Sequence, residues 1–245
     1  MDRESPVSSL PATTTRAKRL ALLLPAMCVP LLASWVYFVL VPGTVLGNAV
    51  YTGVKGFALL WPLLAVGWIL RERFRDPSPG KRHLASLAAG IAFGLAVVGL
   101  LVFLLKATPL HALVAENAGR IAERTHDLGV AEHYLLFALF ISFIHSALEE
   151  YYWRWFVFGQ LRWLLPAGAA VAVASVAFAA HHVVVLGQFF AMPWAFALGF
   201  CVALGGAVWC WLWLRYGSLL GSWASHVVVD LGLMWVGWEV LQGRL

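Results

Sequence analysis

SFIHSALEEYYWRWFVFGQL, residues 142–161, sets two adjacent carboxylates, Glu149 and Glu150, and a guanidinium, Arg154, in a run that is otherwise nearly all apolar or aromatic. On insertion scales a charged side chain at the centre of a bilayer costs about 2.5–3.5 kcal/mol. Three of them so close together mark a place where function rather than stability sets the residue types. The fold and the chemistry of the chain both turn on how this stretch is accommodated.

The rest of the sequence makes the apolar surroundings a membrane. Of 245 residues, 62% are hydrophobic and 12% charged, with a mean hydropathy of +0.82, whereas soluble domains carry about a quarter charged residues. The expected fold class is all-α: a polytopic transmembrane helical bundle of seven spans, or eight if residues 134–165 break into two, with one amphipathic interfacial helix. Apolar segments consume almost the whole length, so one membrane domain is expected over 16–245. Residues 1–15, polar, proline-containing and aperiodic, read as a disordered tail. A formal charge of +5 does not point to nucleic acid, because the basic residues sit in short clusters beside apolar runs, as membrane topology requires. Cys28, Cys201 and Cys210 lie in apolar segments without metal-ligand or CxxC spacing and read as small packing residues.

Along the chain, apolar runs at 20–41, 49–70, 83–105, 134–165, 167–190, 193–214 and 218–241 are each long enough to span. The first resembles a signal peptide at its basic start but is too long, and reads as a retained helix. Lys55 falls near the outer end of the second span, where it can snorkel to the interface. The third is rich in Gly and Ala, suited to close helix contact. Residues 107–133 alternate apolar and charged positions at helical spacing, with Thr108 and Pro109 as a start signal and Gly129 as a stop. They form a connecting amphipathic helix on the membrane surface, with a lid over a substrate entrance as the sharper alternative. Placing the N-terminus, the loop 71–82, Arg162 and Arg215 on one side gathers most basic residues there, and by the positive-inside rule that side is the cytoplasm. The arginine-rich, lysine-poor composition suggests a bacterial source, and hence the inner (plasma) membrane.

Three spans carry ionisable residues at depth: Glu149, Glu150 and Arg154 on the fourth, His181 and His182 on the fifth, His226 and Asp230 on the last. At 1.5 Å per residue, Glu149 lies about 24 Å, His182 about 22 Å, His226 about 14 Å and Asp230 about 20 Å from the presumed cytoplasmic ends, so these groups can meet if the fourth span is one long helix. Glu150 and Arg154, and likewise His226 and Asp230, are i, i+4 pairs; Glu149 lies about 100° round the helix from Glu150.

These residues also form a recognisable set. EEYYWR (149–154) fits an EExxxR motif, FAAHH (178–182) fits FxxxH, and HVVVD (226–230) fits HxxxN/D, in the order found in the CAAX protease and bacteriocin-processing family. The chain resembles those glutamate-type intramembrane endopeptidases, which include the Ras-converting CAAX prenyl endopeptidases, and the resemblance covers about residues 134–235, which it implies to be the catalytic core. The resemblance implies that Glu149 is a general base activating water, that His182 shares that water or its proton, and that His226 stabilises the oxyanion with Asp230 orienting it. Many relatives have Asn at the last position; an Asp there brings negative charge near an oxyanion, which argues against a direct role and for one through its pairing with His226.

Glu150 and Arg154 read as a supporting ion pair that fixes the helix of Glu149, with Phe178 supporting from its motif. His181 points about 100° from His182 and reads as structural, His145 as a candidate neighbour of Glu149 one turn away, and Trp209, Trp211 and Trp213 as an interfacial or lipid-facing belt. No cofactor is expected from the resemblance. The alternative is Zn²⁺ held by Glu149, His182 and His226, which are ligand types. Partners are then membrane lipid and a protein or peptide substrate, cut near its C-terminus or in a membrane-proximal segment such as a sorting or CAAX-like sequence. The rival from another class is a non-enzymatic immunity or scaffold protein, or a small transporter, in which the buried charges gate rather than cut.

Overall fold

The computed structural model describes residues 16–72 and 81–244, so the expected tail at 1–15 and most of the basic loop 71–82 lie outside the described residues. Nine helices are formed among the described residues, without strands: α1 (Arg16–Leu40), α2 (Val45–Ile69), α3 (Lys81–Ala107), α4 (Leu110–Glu116), α5 (Ala118–Asp127), α6 (Ala131–Leu161), α7 (Ala167–Leu186), α8 (Met192–Tyr216) and α9 (Leu220–Leu241). All but α4 and α5 are long and apolar enough to cross a membrane, giving the seven expected spans. Leu135, Leu136, Ile144, Val176, Phe196, Phe200 and Trp211 are largely exposed along them, as a lipid-facing surface requires.

The fourth span is one helix of 31 residues. It remains continuous through two widened stretches, Phe140–His145 and Glu150–Phe158, in which backbone bonds reach five residues back, as from Ser146 N–H to Ile141 O and from Gly159 N–H to Arg154 O. A widened turn advances each side chain by less than the α-helical 100°, so faces read from a regular wheel drift along α6. The expected amphipathic helix is two. Asn117 breaks it at φ −101°, ψ 5°, its side chain donating to Leu113 O at 2.8 Å. Thr108 Oγ1 accepts from Leu110 N–H at 3.2 Å, and Gly129 reverses the chain at φ +68°.

α6 is the central helix, packed against α1, α2, α7, α8 and α9. Its aromatic residues bind it to the first two helices: Tyr152 Oη donates to Ala26 O at 2.7 Å and Tyr151 Oη to Leu59 O at 3.1 Å. At its far end the buried Arg19 donates to Gln160 and Glu72 and lies over Trp163, 4.8 Å from the ring centre. Ion pairing and stacking together offset the burial of that guanidinium.

α9, which carries His226 and Asp230, is seated by the glycines of α3. A Cβ on Gly90 would fall 1.9 Å from Gly221 O, one on Gly221 2.2 Å from Ser86 O, and one on Gly232 2.7 Å from Val98 Cγ2. The two backbones touch, the arrangement small residues permit where no hydrophobic force drives helices together in lipid. We expect Gly221→Leu to push α9 from α3 and lower stability by at least about 1–3 kcal/mol, the usual cost of overpacking. Reversible unfolding in mixed micelles measures it, with Gly53→Leu, which meets nothing within 4 Å, as the neutral reference.

Candidate active site

Glu149 and Glu150 project from the centre of α6 and are 7% and 1% exposed. Although they lie roughly a third of a turn apart, both face protein, because helices surround α6 where the two side chains emerge. Each carboxylate then collects its own donors.

Glu150 Oε1 lies 3.1 Å from Arg154 Nη1 on the same helix and 2.9 Å from His226 Nδ1 on α9. Its expected pairing with Arg154 is present, and it also holds a residue of another span. Arg154 in turn sits 4.2 Å from the ring centre of Phe178 and 4.7 Å from that of Trp209, and Gly206 of α8 leaves space for it: a Cβ there would lie 3.3 Å from Arg154 Nη2. Rings on two sides and a carboxylate on a third make this apolar interior tolerable for a guanidinium.

Glu149 Oε1 lies 3.3 Å from His145 Nε2, one turn earlier on α6, and 3.3 Å from His181 Nε2 on α7. Its other oxygen, Oε2, is 3.8 Å from His226 Nε2, beyond direct hydrogen bonding. One oxygen of the carboxylate is therefore anchored and the other faces His226 on α9 without a hydrogen bond to it.

His182 donates from Nδ1 to Phe178 O at 3.0 Å, which in the neutral ring leaves Nε2 as an acceptor. His181 and His182 lie beside each other with ring centres 4.1 Å apart and planes inclined at 45°, and His181 is parallel to Trp153 at 5.7 Å. One donor atom each from Glu149, His181 and His182 falls within 4.8 Å of the others, so among the described residues these three form a group that could hold a metal ion. Their mixed carboxylate and imidazole chemistry suits zinc.

Several expectations need correction. His181, read as structural because of its angle from His182, contacts Glu149 directly: α7 passes close enough for both neighbouring imidazoles to reach the carboxylate. Asp230 lies 3.7 Å from His226 Nε2 and so does not orient that ring through a hydrogen bond; Glu150 does so at Nδ1. Trp209 is not part of a lipid-facing belt. It is 5% exposed, stacks on His226 at 4.2 Å and donates from Nε1 to Ser225 Oγ at 2.9 Å. Lys55 does not snorkel outward, because its Nζ is 3.0 Å from His145 Nδ1.

Glu150→Gln leaves Arg154 buried without its counter-charge. We expect it to destabilise the protein by about 3–5 kcal/mol, and the added change Arg154→Met to recover a large part of that loss. Unfolding titrations of wild type, both single variants and the double variant close the cycle; equal stability of wild type and Glu150→Gln would refute the pairing.

The four C-terminal helices thus bring the EExxxR, FxxxH and HxxxD segments around one buried carboxylate, and the comparisons with known proteins cover the same helices. Residues 131–232 match the family model described as type II CAAX prenyl endopeptidase Rce1-like, a span that contains Glu149, Glu150, Arg154, Phe178, all four clustered histidines and Asp230. No curated protein and no solved structure matches the chain. Over that segment, somewhat less than half of the chain, it is similar to the Rce1-like type II CAAX prenyl endopeptidases, a family of peptide hydrolases.

Proposed function

We propose that the chain is a glutamate-type intramembrane endopeptidase in which Glu149 activates water against a peptide carbonyl. The observation that carries the proposal is the asymmetry of the Glu149 carboxylate. Oε1 is fixed by His145 and His181 at 3.3 Å each, while Oε2 faces His226 across 3.8 Å. A base works best when held in position with one lone pair free for the proton it takes.

In this reading Oε2 removes a proton from water as the water oxygen bonds to the carbonyl carbon. The carbonyl π electrons move to oxygen, and His226, as an imidazolium that donates from Nδ1 to Glu150 and rests its face on Trp209, donates from Nε2 to that oxyanion. Collapse re-forms the carbonyl and breaks the C–N bond, and the departing amine takes the proton held by Glu149. His182, with Nε2 free, accepts from the same water and keeps it oriented. Asp230, at 3.7 Å, acts on His226 through its charge.

The substrate is a protein or peptide whose membrane-proximal or C-terminal segment reaches the interior of the bundle, a CAAX-like or sorting sequence being the class that the family match over 131–232 favours. The excess of basic residues at the N-terminal side of α1 and at Arg71, Arg82, Arg162 and Arg215 supports a cytoplasmic N-terminus. The cluster of Glu149, His181 and His182 favours one second reading, in which a bound Zn²⁺ supplies an activated water and the same residues serve as its holders.

Glu149→Gln and His182→Ala should each lower turnover by about 10²–10⁴-fold while unfolding at close to the wild-type midpoint. The substrate is found by comparing masses of membrane and secreted proteins from cells carrying wild-type or Glu149→Gln protein. Cleavage that persists undiminished in Glu149→Gln ends the proposal. Activity of the wild type should survive exhaustive chelation; loss on chelation with recovery on adding Zn²⁺ selects the metal reading.

A further inference from the structure

Among the described residues, Lys55 is the lysine deepest within a membrane-length helix, ten residues after Val45 and fourteen before Ile69. An ionisable residue at such a depth needs a partner, and that partner commonly names its function. Lys55 turns away from lipid: its Nζ lies 3.0 Å from His145 Nδ1 and 5.1 Å from the centre of the Tyr51 ring, which itself packs on Tyr37 at 5.0 Å. His145 Nε2 lies 3.3 Å from Glu149 Oε1. Lys55, His145 and Glu149 thus form a line of contacts from α2 into the candidate active site.

The chemistry of the line has a direction. An ammonium has donors and no acceptor, so the His145 Nδ1 facing it must accept. A singly protonated ring that accepts at Nδ1 carries its hydrogen on Nε2, the nitrogen that faces the carboxylate. With the opposite tautomer, a bare Nε2 would oppose the Glu149 lone pairs, and the carboxylate would turn from its orientation. His145 is one turn from Glu149 on the same helix, so α6 by itself does not choose between the tautomers. The other charged or titratable groups around the cluster are His181 and His182 from α7, His226 and Asp230 from α9, and Glu150 from α6, none of which is bonded to His145 Nδ1.

We propose that Lys55 is a positioning residue of the hydrolytic site: by fixing the tautomer of His145 it holds Oε1 of Glu149 and leaves Oε2 for water. α2, which lies outside the family-matched segment, thereby completes the active site. This deepens the proposed function and rests on Glu149 being the base.

The contact is tested without a substrate. In ¹⁵N-histidine spectra of the full chain in nanodiscs, with His145 assigned by its loss in His145→Gln, wild type should show a bare Nδ1 and a protonated Nε2. Lys55→Met should shift His145 to the other tautomer or to a mixture, and Lys55→Arg should restore the wild-type pattern. A protonated Nδ1 in wild type, or a spectrum unmoved by Lys55→Met, overturns the inference. The functional arm uses an internally quenched prenylated CAAX peptide in micelles. Lys55→Met should lower kcat by about 10–100-fold with KM nearly unchanged, and Lys55→Arg should recover most of it. Loss of turnover in Glu149→Gln with full turnover in Lys55→Met sinks the role of Lys55, whereas full turnover in Glu149→Gln sinks the base assignment and leaves the spectra to judge the contact.

Discussion

Two neighbouring carboxylates in an apolar interior must be surrounded by donors, and meeting that demand organises the C-terminal half of the bundle. Glu149 draws in His181 from α7, and Glu150 draws in His226 from α9, while His145 and Arg154 close the arrangement from α6 itself. Each carboxylate uses one partner on its own helix and one on another. The own-helix partner is assured by i, i+4 spacing, and the other exists only when the helices have assembled. Desolvation makes any unfilled position costly, so the same groups that prepare a reactive centre also enforce the packing of three spans.

Phe178 shows how closely the two demands are joined. Its carbonyl accepts from His182, its ring lies under Arg154, and it meets His226 and Trp209 in T-shaped contacts with ring centres 6.2 Å and 6.0 Å away. In this chain the phenylalanine and histidine four residues apart are therefore one unit. The backbone of the first sets which nitrogen of the second faces the site, and its ring supports the cation that balances Glu150. Gly206 belongs to the same unit from α8, since a larger residue would occupy the place of the guanidinium.

Length, hydropathy and helical spacing made the spans legible in the sequence, with ends within a few residues of those observed for most helices, and they made visible every charge that had no reason to be in lipid. The i, i+4 pair Glu150–Arg154 could be read in the same way, because both partners ride on one helix. What could not be read were the choices between helices. His181 was misread from its angle to His182, since a wheel fixes directions but not how near the next helix comes. Asp230 shares a face with His226, yet Glu150 holds the ring, and spacing within α9 carries no trace of a competitor on α6. Trp209 resembles its neighbours Trp211 and Trp213 in sequence, and burial, the bond to Ser225 and the stacking against His226 separate it from them. The signal available for Lys55 was its depth, which snorkelling explained equally well until α6 was seen beside it. The widened turns of α6 add a drift that no regular wheel contains.

The glycine contacts between α3 and α9 bear on how a chain could enter. Side chains yield by changing rotamer, but two backbones in van der Waals contact separate only if whole helices translate. His226 and Asp230 therefore keep their depth relative to α3, and that wall behaves as a fixed block. The opposite wall is joined by side chains, among them Tyr151 on Leu59 O and Lys55 on His145. A passage between α2 and α6 would part that second contact as it opened and remake it as it closed. Admission of a peptide and alignment of the carboxylate would then be opposite phases of one movement, with hydrolysis confined to the closed phase.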